Sequence, residues 1–531
     1  MKKTIQLVLV LLLVFAMTSA VAEYSEVYNA VLPISDEVIE YTIWVKTAAN
    51  EGHWNDLWYT KFVEETMGIR LNGKDISEAG WTEEVSLAFG TGDLPDCFAV
   101  GLSDIDAVKY GSQGQLIDLA PLIDEYAPNI KALFDAYPNY REAITCPDGA
   151  IYYFKGLSQT ERELLYSRVY YNMQWLENVG KDVPETLDDL LDVLRAFKEQ
   201  DANDNGDYDD EIPIGGIYVL SGSDYRKSVS YLVLNALGFY DQLLDVSEDG
   251  IVRFVPTDDN YIEYLKYMRT LVEEELIDSE YFTQDNTMRS SKTAAGLYGV
   301  LVTTGANWSE MKDEALYSQY EMQAPLKSDL CQDGYASARD LVLTNGFAIT
   351  NKCTNPIPLV KFLDVIMTEQ GSIDEQQGVA LGDYLDDGGY VLRTDENGTY
   401  GMDLVYPTDE YSSYNNFRSA LITRQELPYY WPWSIPLHIR FNAQQVDLTE
   451  QITRAFVPHY HVAFPSKMMT PDEANELSVL KTELESYLWQ TEVKIMKGEL
   501  DLEAGFAELK QGLIERGSER YAEIYQGIYD R

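Results

Sequence analysis

The sequence predicts an α/β protein built as two large lobes, and three observations lead there. Short β-branched and aromatic runs alternate with segments of helical period, the pattern of strand–helix–strand units with mostly parallel sheets flanked by helices. At 531 residues the chain is long for a single hydrophobic core and suits two lobes or a few domains. Its 45% apolar content, with 39 tyrosines and 9 tryptophans, supplies packed interiors rather than disorder.

Taken in order, 41–45 (Tyr-Thr-Ile-Trp-Val) reads as the opening strand, followed by a polar loop from Lys46 to Trp54. A helix starts near Asp56, with Trp58 and Phe62 on one face and Gly68 as its stop. In the next helix Trp81, Val85, Ala88 and Phe89 stand at i, i+4, i+7 and i+8, and Gly92 ends it. Residues 97–100 make a short buried strand, and 151–154 and 165–171 read as two more. Thr186 and Asp189 form a capping-box start for a helix carrying Leu187, Leu190, Leu191, Leu194 and Phe197. Helical patterns recur over 260–277 and 358–367, with a strand at 347–350 between them. Thr470-Pro471-Asp472-Glu473 opens a long helix, Gly498 and Gly517 interrupt the C-terminal segment, and Tyr521, Ile524, Tyr525 and Ile528 line its last helix. There is no internal repeat and no low-complexity linker.

The N-terminus sets the compartment. Lys2 and Lys3 precede a run from Ile5 to Met17 that is apolar apart from Gln6, and Ala20-Val21-Ala22 supplies an A-x-A cleavage pattern. Residues 1–22 are therefore expected to be a cleavable signal peptide, too short in its apolar core for a membrane span. The first cysteine is Cys97, so no lipid-attachment cysteine follows, and a free extracytoplasmic product is expected. Four cysteines at 97, 146, 331 and 353 form no CxxC pair. Export permits disulfides, but these spacings specify none. The formal charge of −48 repels phosphate backbones and anionic membranes, which argues against a nucleic-acid partner. It also works against a strongly anionic solute unless a local basic pocket offsets the field.

The sharpest local motif is Asp201-Ala-Asn203-Asp-Asn205-Gly206-Asp207-Tyr-Asp209-Asp210-Glu211. Oxygen side chains at positions 1, 3, 5 and 9 with glycine at 6 are what a calcium loop needs, position 7 contributing a backbone carbonyl. Position 12 is Ile212, so the second carboxylate has to come from Asp210 or Glu211. A surface calcium of this kind is expected to stiffen a lobe rather than touch a ligand.

Several stretches together resemble the family 1 extracellular solute-binding proteins of ABC importers, and within them the longer branch with alginate and other oligosaccharide receptors. They are Gly92-Asp93-Leu94-Pro95-Asp96, Trp175-Leu176 through Val183-Pro184-Glu185-Thr186 to Ile212-Pro213, Leu276-Ile277-Asp278-Ser279-Glu280-Tyr281-Phe282, Cys353-Thr354-Asn355-Pro356, and Leu513 to Arg531. The resemblance implies a two-lobed periplasmic-binding-protein fold of type II with extra C-terminal helices. It implies an N-terminal lobe of 23–153 plus about 350–425, and a C-terminal lobe of 154–349 plus about 426–531 carrying the loop 201–211. It also implies a solute held by hinge closure, a membrane permease as partner, a monomer, and calcium ligands Asp201, Asn203, Asn205, the Asp207 carbonyl, and Asp209 with Asp210. The family's acidic pair stands directly before Ile-Pro, whereas one extra residue intervenes here, so Asp209/Asp210 and Asp210/Glu211 both remain open.

In such a receptor the site is built from loops at the carboxyl ends of strands, here 46–54, 99–104, 155–161 and the region of Asn307-Trp308. Sugars need flat aromatic faces, for which Trp54, Trp308 and the cluster Tyr429-Tyr430-Trp431-Pro432-Trp433 are suited. They also need hydroxyl partners, for which Asp104, Asn307 and Arg440 are candidates. Trp44, Trp58, Trp81, Trp175 and Trp489 are assigned to cores. Enzymatic signatures are scarce: four histidines, at 53, 438, 459 and 461, with no HExxH, no GxSxG and no Gly-rich phosphate loop. His459 and His461 lack an evident third metal ligand and read as a surface pair. The expected function is capture of a carbohydrate, a neutral oligosaccharide given the acidic surface, without catalysis. The competing readings are an exported carbohydrate-active enzyme, needing only two suitably spaced carboxylates, and a peptide receptor.

Overall fold

The computed structural model describes residues 24–48, 51–159, 168–219, 228–303, 311, 313–338, 340–378, 388–394, 400–411, 414–432 and 451–531. The expected signal segment 1–22 lies outside them. The chain divides into two compact units, one of Met1–Gln159, Leu341–Arg440 and Ser466–Ala474, the other of Thr160–Asp340, Phe441–Pro465 and Asn475–Arg531. The divisions expected at 153/154, 349/350 and 425/426 stand at 159/160, 340/341 and 440/441, and 466–474 returns to the first unit.

The first unit is organised by its two longest strands. Ile39–Thr47 and Ile69–Ser77 pair in parallel over their whole length, from Ile39 opposite Ile69 to Thr47 opposite Ser77. Alternation decides which face is inside: Tyr41, Ile43 and Val45 are buried while Glu40 and Thr42 are exposed. The six-stranded sheet runs in the order Tyr430–Trp431, Phe154–Ser158, Val342–Ile349, Cys97–Phe98, Ile39–Thr47, Ile69–Ser77. Val342–Ile349 is antiparallel to both neighbours and the other pairings are parallel. The helix Trp58–Met67 links the two long strands and ends at Gly68, whose φ is 71°. A Cβ there would lie 2.2 Å from the Ser35 carbonyl oxygen, so both conformation and space require glycine. The helix Trp81–Thr91 lays Trp81, Val85, Ala88 and Phe89 against Phe98 and Leu116, as its period predicts.

The strand expected at 151–154 is displaced to Phe154–Ser158. Pairing begins only where Phe154 meets Phe347, and the Ile151 amide is already committed to Asp118 Oδ1 at 2.9 Å. Of the strand expected at 165–171, residues 165–167 lie outside the described residues and Arg168–Asn172 is a strand.

The second unit carries a four-stranded sheet ordered Tyr320–Met322, Arg168–Asn172, Tyr298–Thr303, Ile212–Gly215. Its first two pairings are antiparallel and the last is parallel, so this sheet is mixed rather than mostly parallel. Buried strands are apolar on both faces whichever way they run, so direction leaves no trace in the periodicity. The capping box is present: the Asp189 amide donates to Thr186 Oγ1 at 3.1 Å and the Thr186 amide to Asp189 Oδ2 at 3.0 Å. Helices Pro471–Met496, Leu502–Glu515 and Ser518–Asp530 close the chain as read from its end. All four cysteines are free and buried.

Burying the long helix Pro471–Met496 places a carboxyl group inside the second unit. Glu492, 1% exposed, accepts hydrogen bonds from Tyr218 (2.7 Å), Tyr261 (2.5 Å) and Tyr264 (3.2 Å). The Tyr264 hydroxyl also lies 2.8 Å from Ser230 Oγ, tying three helices to one group. Burial pushes the Glu492 carboxyl above its ordinary range, and the three phenols oppose that. A folded-state value raised above the unfolded one contributes stability that is full below about 4.5 and is lost as pH rises from there. Glu492→Gln removes this loss because each phenol can still donate to, or accept from, the carboxamide. Its melting temperature relative to the parent protein is expected to climb between pH 4.5 and 8 in a thermal-unfolding series. Glu492→Ala instead strands three buried hydroxyls and is expected to cost roughly 2–4 kcal/mol at any pH.

Candidate functional site

Because Ile39–Thr47 and Ile69–Ser77 are parallel and in register, their carboxyl ends and the loops that follow lie on the same edge of the sheet. Val45 stands opposite Asp75, and Trp44 opposite Phe98 of the third strand. At this edge a guanidinium is buried. The Arg424 side chain is 0% exposed. Its Nη1 donates to Asp75 Oδ1 (2.7 Å), Thr47 Oγ1 (2.8 Å) and the Gly52 carbonyl (3.3 Å). Glu426 lies 3.4 Å from Nη2, and Glu51 Oε2 lies 4.0 Å from Nε. The Arg424 Nε–H is buried and makes no hydrogen bond among the described residues. One cation thus faces three carboxyl groups. Burial pushes the Glu426 carboxyl up to about 8; Arg424 pulls it down and Glu51 and Asp75 push it up.

The same group fixes the loop. The Trp54 amide donates to Asp75 Oδ2 at 3.3 Å, and His53 Nδ1 lies 3.2 Å from that oxygen. Glu51 Oε2 accepts the Ala48 amide at 2.8 Å. The His53 side chain is 83% exposed, whereas those of Asp75 and Glu51 are each 18% exposed.

The sequence-predicted residues distribute unevenly around this edge. Asp104 begins the helix Asp104–Ser112 and pairs with Lys155 Nζ at 2.7 Å; its side chain is 35% exposed and can meet a solute. Trp54 is corrected: it is 2% exposed, its indole N–H donates to the Leu71 carbonyl at 3.1 Å, and Arg424 covers its ring at 5.6 Å. It packs the loop from beneath and offers no open face. Trp431 is corrected likewise. It is 8% exposed, its ring 4.7 Å from that of Tyr429, in a cluster with Leu343, Tyr390 and Met402. Asn307, Trp308, Trp433 and Arg440 lie outside the described residues. Trp489, assigned to a core, is 39% exposed against Tyr218. His461 stacks on Tyr240 at 3.7 Å and His459 belongs to a preceding 3-10 turn, so the two imidazoles do not share a strand face.

Sequence reasoning missed Arg424, Asp75, Glu51 and Glu426. The available signal was weak: Thr423-Arg424-Gln425-Glu426 is a short polar stretch bounded by Ile422 and Leu427, and burial of those neighbours would draw the charges in with them.

The loop 201–211 in the second unit folds around its own oxygens. Asp201 accepts the Asn205 amide through Oδ1 (3.0 Å) and the Gly206 amide through Oδ2 (2.8 Å). Asn203 Oδ1 also accepts the Asn205 amide (3.0 Å), and Asn205 Oδ1 accepts that of Asp207 (2.7 Å). Positive φ at Asp204 (58°) and Gly206 (88°) makes the wrap, the second at the position that favours glycine. The carboxamides of Asn203 and Asn205 both face Asp210, at 2.9 and 2.7 Å. Glu211 Oε1 accepts the Asn203 amide at 3.4 Å, and its Oε2 is buried without a hydrogen-bond partner among the described residues. Burial raises the Glu211 carboxyl and Asp210 adds to the rise. Asp209 is exposed. Among the described residues no three His, Cys, Asp or Glu side chains converge as a metal cluster. The groups gathered in the loop are two aspartates and two carboxamides, with one orphaned carboxylate oxygen at its base, an oxygen-rich set that fits a hard cation.

Known proteins share this architecture. The chain is 27% identical over 491 residues, 88% of its own length and 86% of the other, to the fructooligosaccharide ABC transporter substrate-binding protein FusA of Streptococcus pneumoniae. Solved structures of FusA, with kestose and, as an EF-hand mutant, with fructo-nystose, match at TM-scores of 0.77 and 0.76 and 23% and 22% identity. Each match covers 93% of this chain and 99% of that one. The alginate-binding protein AlgQ2, solved without calcium ion, matches at TM-score 0.73 and 19% identity, covering 94% and 99%. These structural likenesses establish a two-domain solute-binding-protein fold. The model of the bacterial extracellular solute-binding proteins matches residues 46–373, and the chain belongs to that family.

Proposed function

We propose that the protein is the extracytoplasmic receptor of an ABC importer, a monomer that captures a neutral oligosaccharide and presents it to a membrane permease without chemical turnover. The observation that carries this reading is the likeness to the fructooligosaccharide receptor over 88% of the chain. The sheet edge of the first unit supports it: Asp104 at a helix start and Glu51 and His53 on the loop after the first strand offer partners for hydroxyls, beside Asp75 near the end of the second strand, where solute sites form in α/β sheets. No helix among the described residues is long and apolar enough to cross a membrane. Asn307, Trp308, Trp433 and Arg440 stay in the proposal as further ligand contacts.

The loop 201–211 is proposed to hold a structural calcium ion. Asp201, Asn203, Asn205 and the Asp207 carbonyl supply oxygens, and Asp210 with Glu211 completes the set, because Asp210 already faces both carboxamides and Glu211 Oε2 has no partner among the described residues. Asp209 stays in solvent. The ion would supply the positive charge that this group of carboxylates lacks and would fix the loop beneath the helix Leu187–Glu199.

A thermal-shift screen tests the receptor reading. A saturating neutral oligosaccharide such as kestose is expected to raise the melting temperature, by about 2.7 kcal/mol of added stability at a hundred times Kd. Stabilisation by peptides alone, or release of product from the saccharide, would defeat it. The calcium assignment is checked by terbium luminescence sensitised through Tyr208, which sits in the loop. Asp210→Asn is expected to weaken terbium binding tenfold or more and Asp209→Asn by less than about threefold. Calcium chelation is expected to lower the melting temperature of the parent protein and not that of Asp210→Asn.

A further inference from the structure

The Arg424 group does more than brace a loop. We infer that His53 and Glu51 form a hydroxyl-accepting pair that admits neutral sugars and rejects uronates, with Asp75 and Arg424 as the residues that position them. The inference rests on the carbohydrate-receptor reading and names the chemistry at one part of that site.

The argument begins with hydrogen-bond direction. Arg424 donates to Asp75 Oδ1, and Asp75 Oδ2 takes the Trp54 amide and meets His53 Nδ1 at 3.2 Å. A carboxylate is an acceptor, so the proton of the neutral imidazole resides on Nδ1. Nε2 then carries a lone pair on a ring whose side chain is 83% exposed, and it has no partner among the described residues. Glu51 stands two residues earlier on the same loop. Its Oε2 is tied to the Ala48 amide and faces Arg424, while Oε1 accepts nothing among the described residues.

The loop therefore offers two acceptors, each held by its other atom. A sugar hydroxyl has the hydrogen that such acceptors need. A uronate carboxylate has none to give, and it would approach a single guanidinium already facing Asp75, Glu51 and Glu426. Among the described residues the Arg424 Nε–H is buried and unbonded, with Glu51 Oε2 4.0 Å away.

The full chain, labelled with 15N-histidine, provides the test, because four histidines give a resolvable spectrum. Kestose is expected to shift the His53 imidazole signals, assigned with His53→Ala, and trigalacturonate to leave them in place and bind at least tenfold more weakly. Glu51→Gln and His53→Ala are each expected to weaken kestose roughly tenfold. His53→Gln, which keeps an acceptor oxygen, recovers most of the loss. Asp75→Asn is expected to change the Nδ1–H tautomer signature of His53 before any ligand is added. Kestose binding with unmoved His53 signals, or trigalacturonate binding as tightly as kestose, would overturn this inference alone. Failure of the parent protein to bind any saccharide would overturn it together with the receptor reading.

Discussion

The nine-residue parallel register between Ile39–Thr47 and Ile69–Ser77 is the constraint on which the first unit depends. A parallel pair cannot be closed by a tight turn, so the chain must cross back through Trp58–Met67. That crossover buries Trp58 and Phe62 and leaves both strands ending at the same edge. The loop that follows the first strand and Asp75 near the end of the second are thereby neighbours, although more than twenty positions separate them. Slipping the register by one residue would turn Tyr41, Ile43 and Val45 outward, so burial of those three side chains holds the polar edge in place.

The two units bury charge in different ways. In the first, Arg424 is surrounded by acceptors from four segments: the end of the first strand, the loop before Trp54, the second strand and its own neighbour Glu426. The desolvation of a guanidinium is offset only where several carboxyl groups converge, which gives the edge its rigidity and its acceptor character. In the second unit Glu492 is stabilised by three phenolic hydroxyls. Hydroxyls donate without bringing charge, and they pin the long C-terminal helix to the body of the unit.

Local features were legible in the chain because their physics is local. The capping box at Thr186, the glycine stops at Gly68 and Gly92, and the gathered oxygen side chains of the loop 201–211 each depend on residues within a few positions of one another. The order of oxygens around that loop shows the limit. Spacing alone left Asp209/Asp210 and Asp210/Glu211 equivalent; in the fold Asp209 is exposed, while Glu211 is partly covered with its Oε2 buried. Tryptophan in a polar stretch was a poor guide: Trp54 lies among polar residues yet is covered by Arg424, a residue 370 positions away.

The amino-acid sequence by itself determined the α/β class, the longer helices, the family and the spacing of oxygen-bearing residues in the loop 201–211, since periodicity, caps and residue spacing are written over short stretches. Tertiary structure decided strand direction in the second unit, because buried strands look alike in either sense. It also decided which polar residues form the candidate site. Glu51, Asp75, Arg424 and Glu426 are unremarkable as single positions in a chain with 88 acidic residues. They become a group only because one guanidinium, denied water, must find its acceptors across the fold.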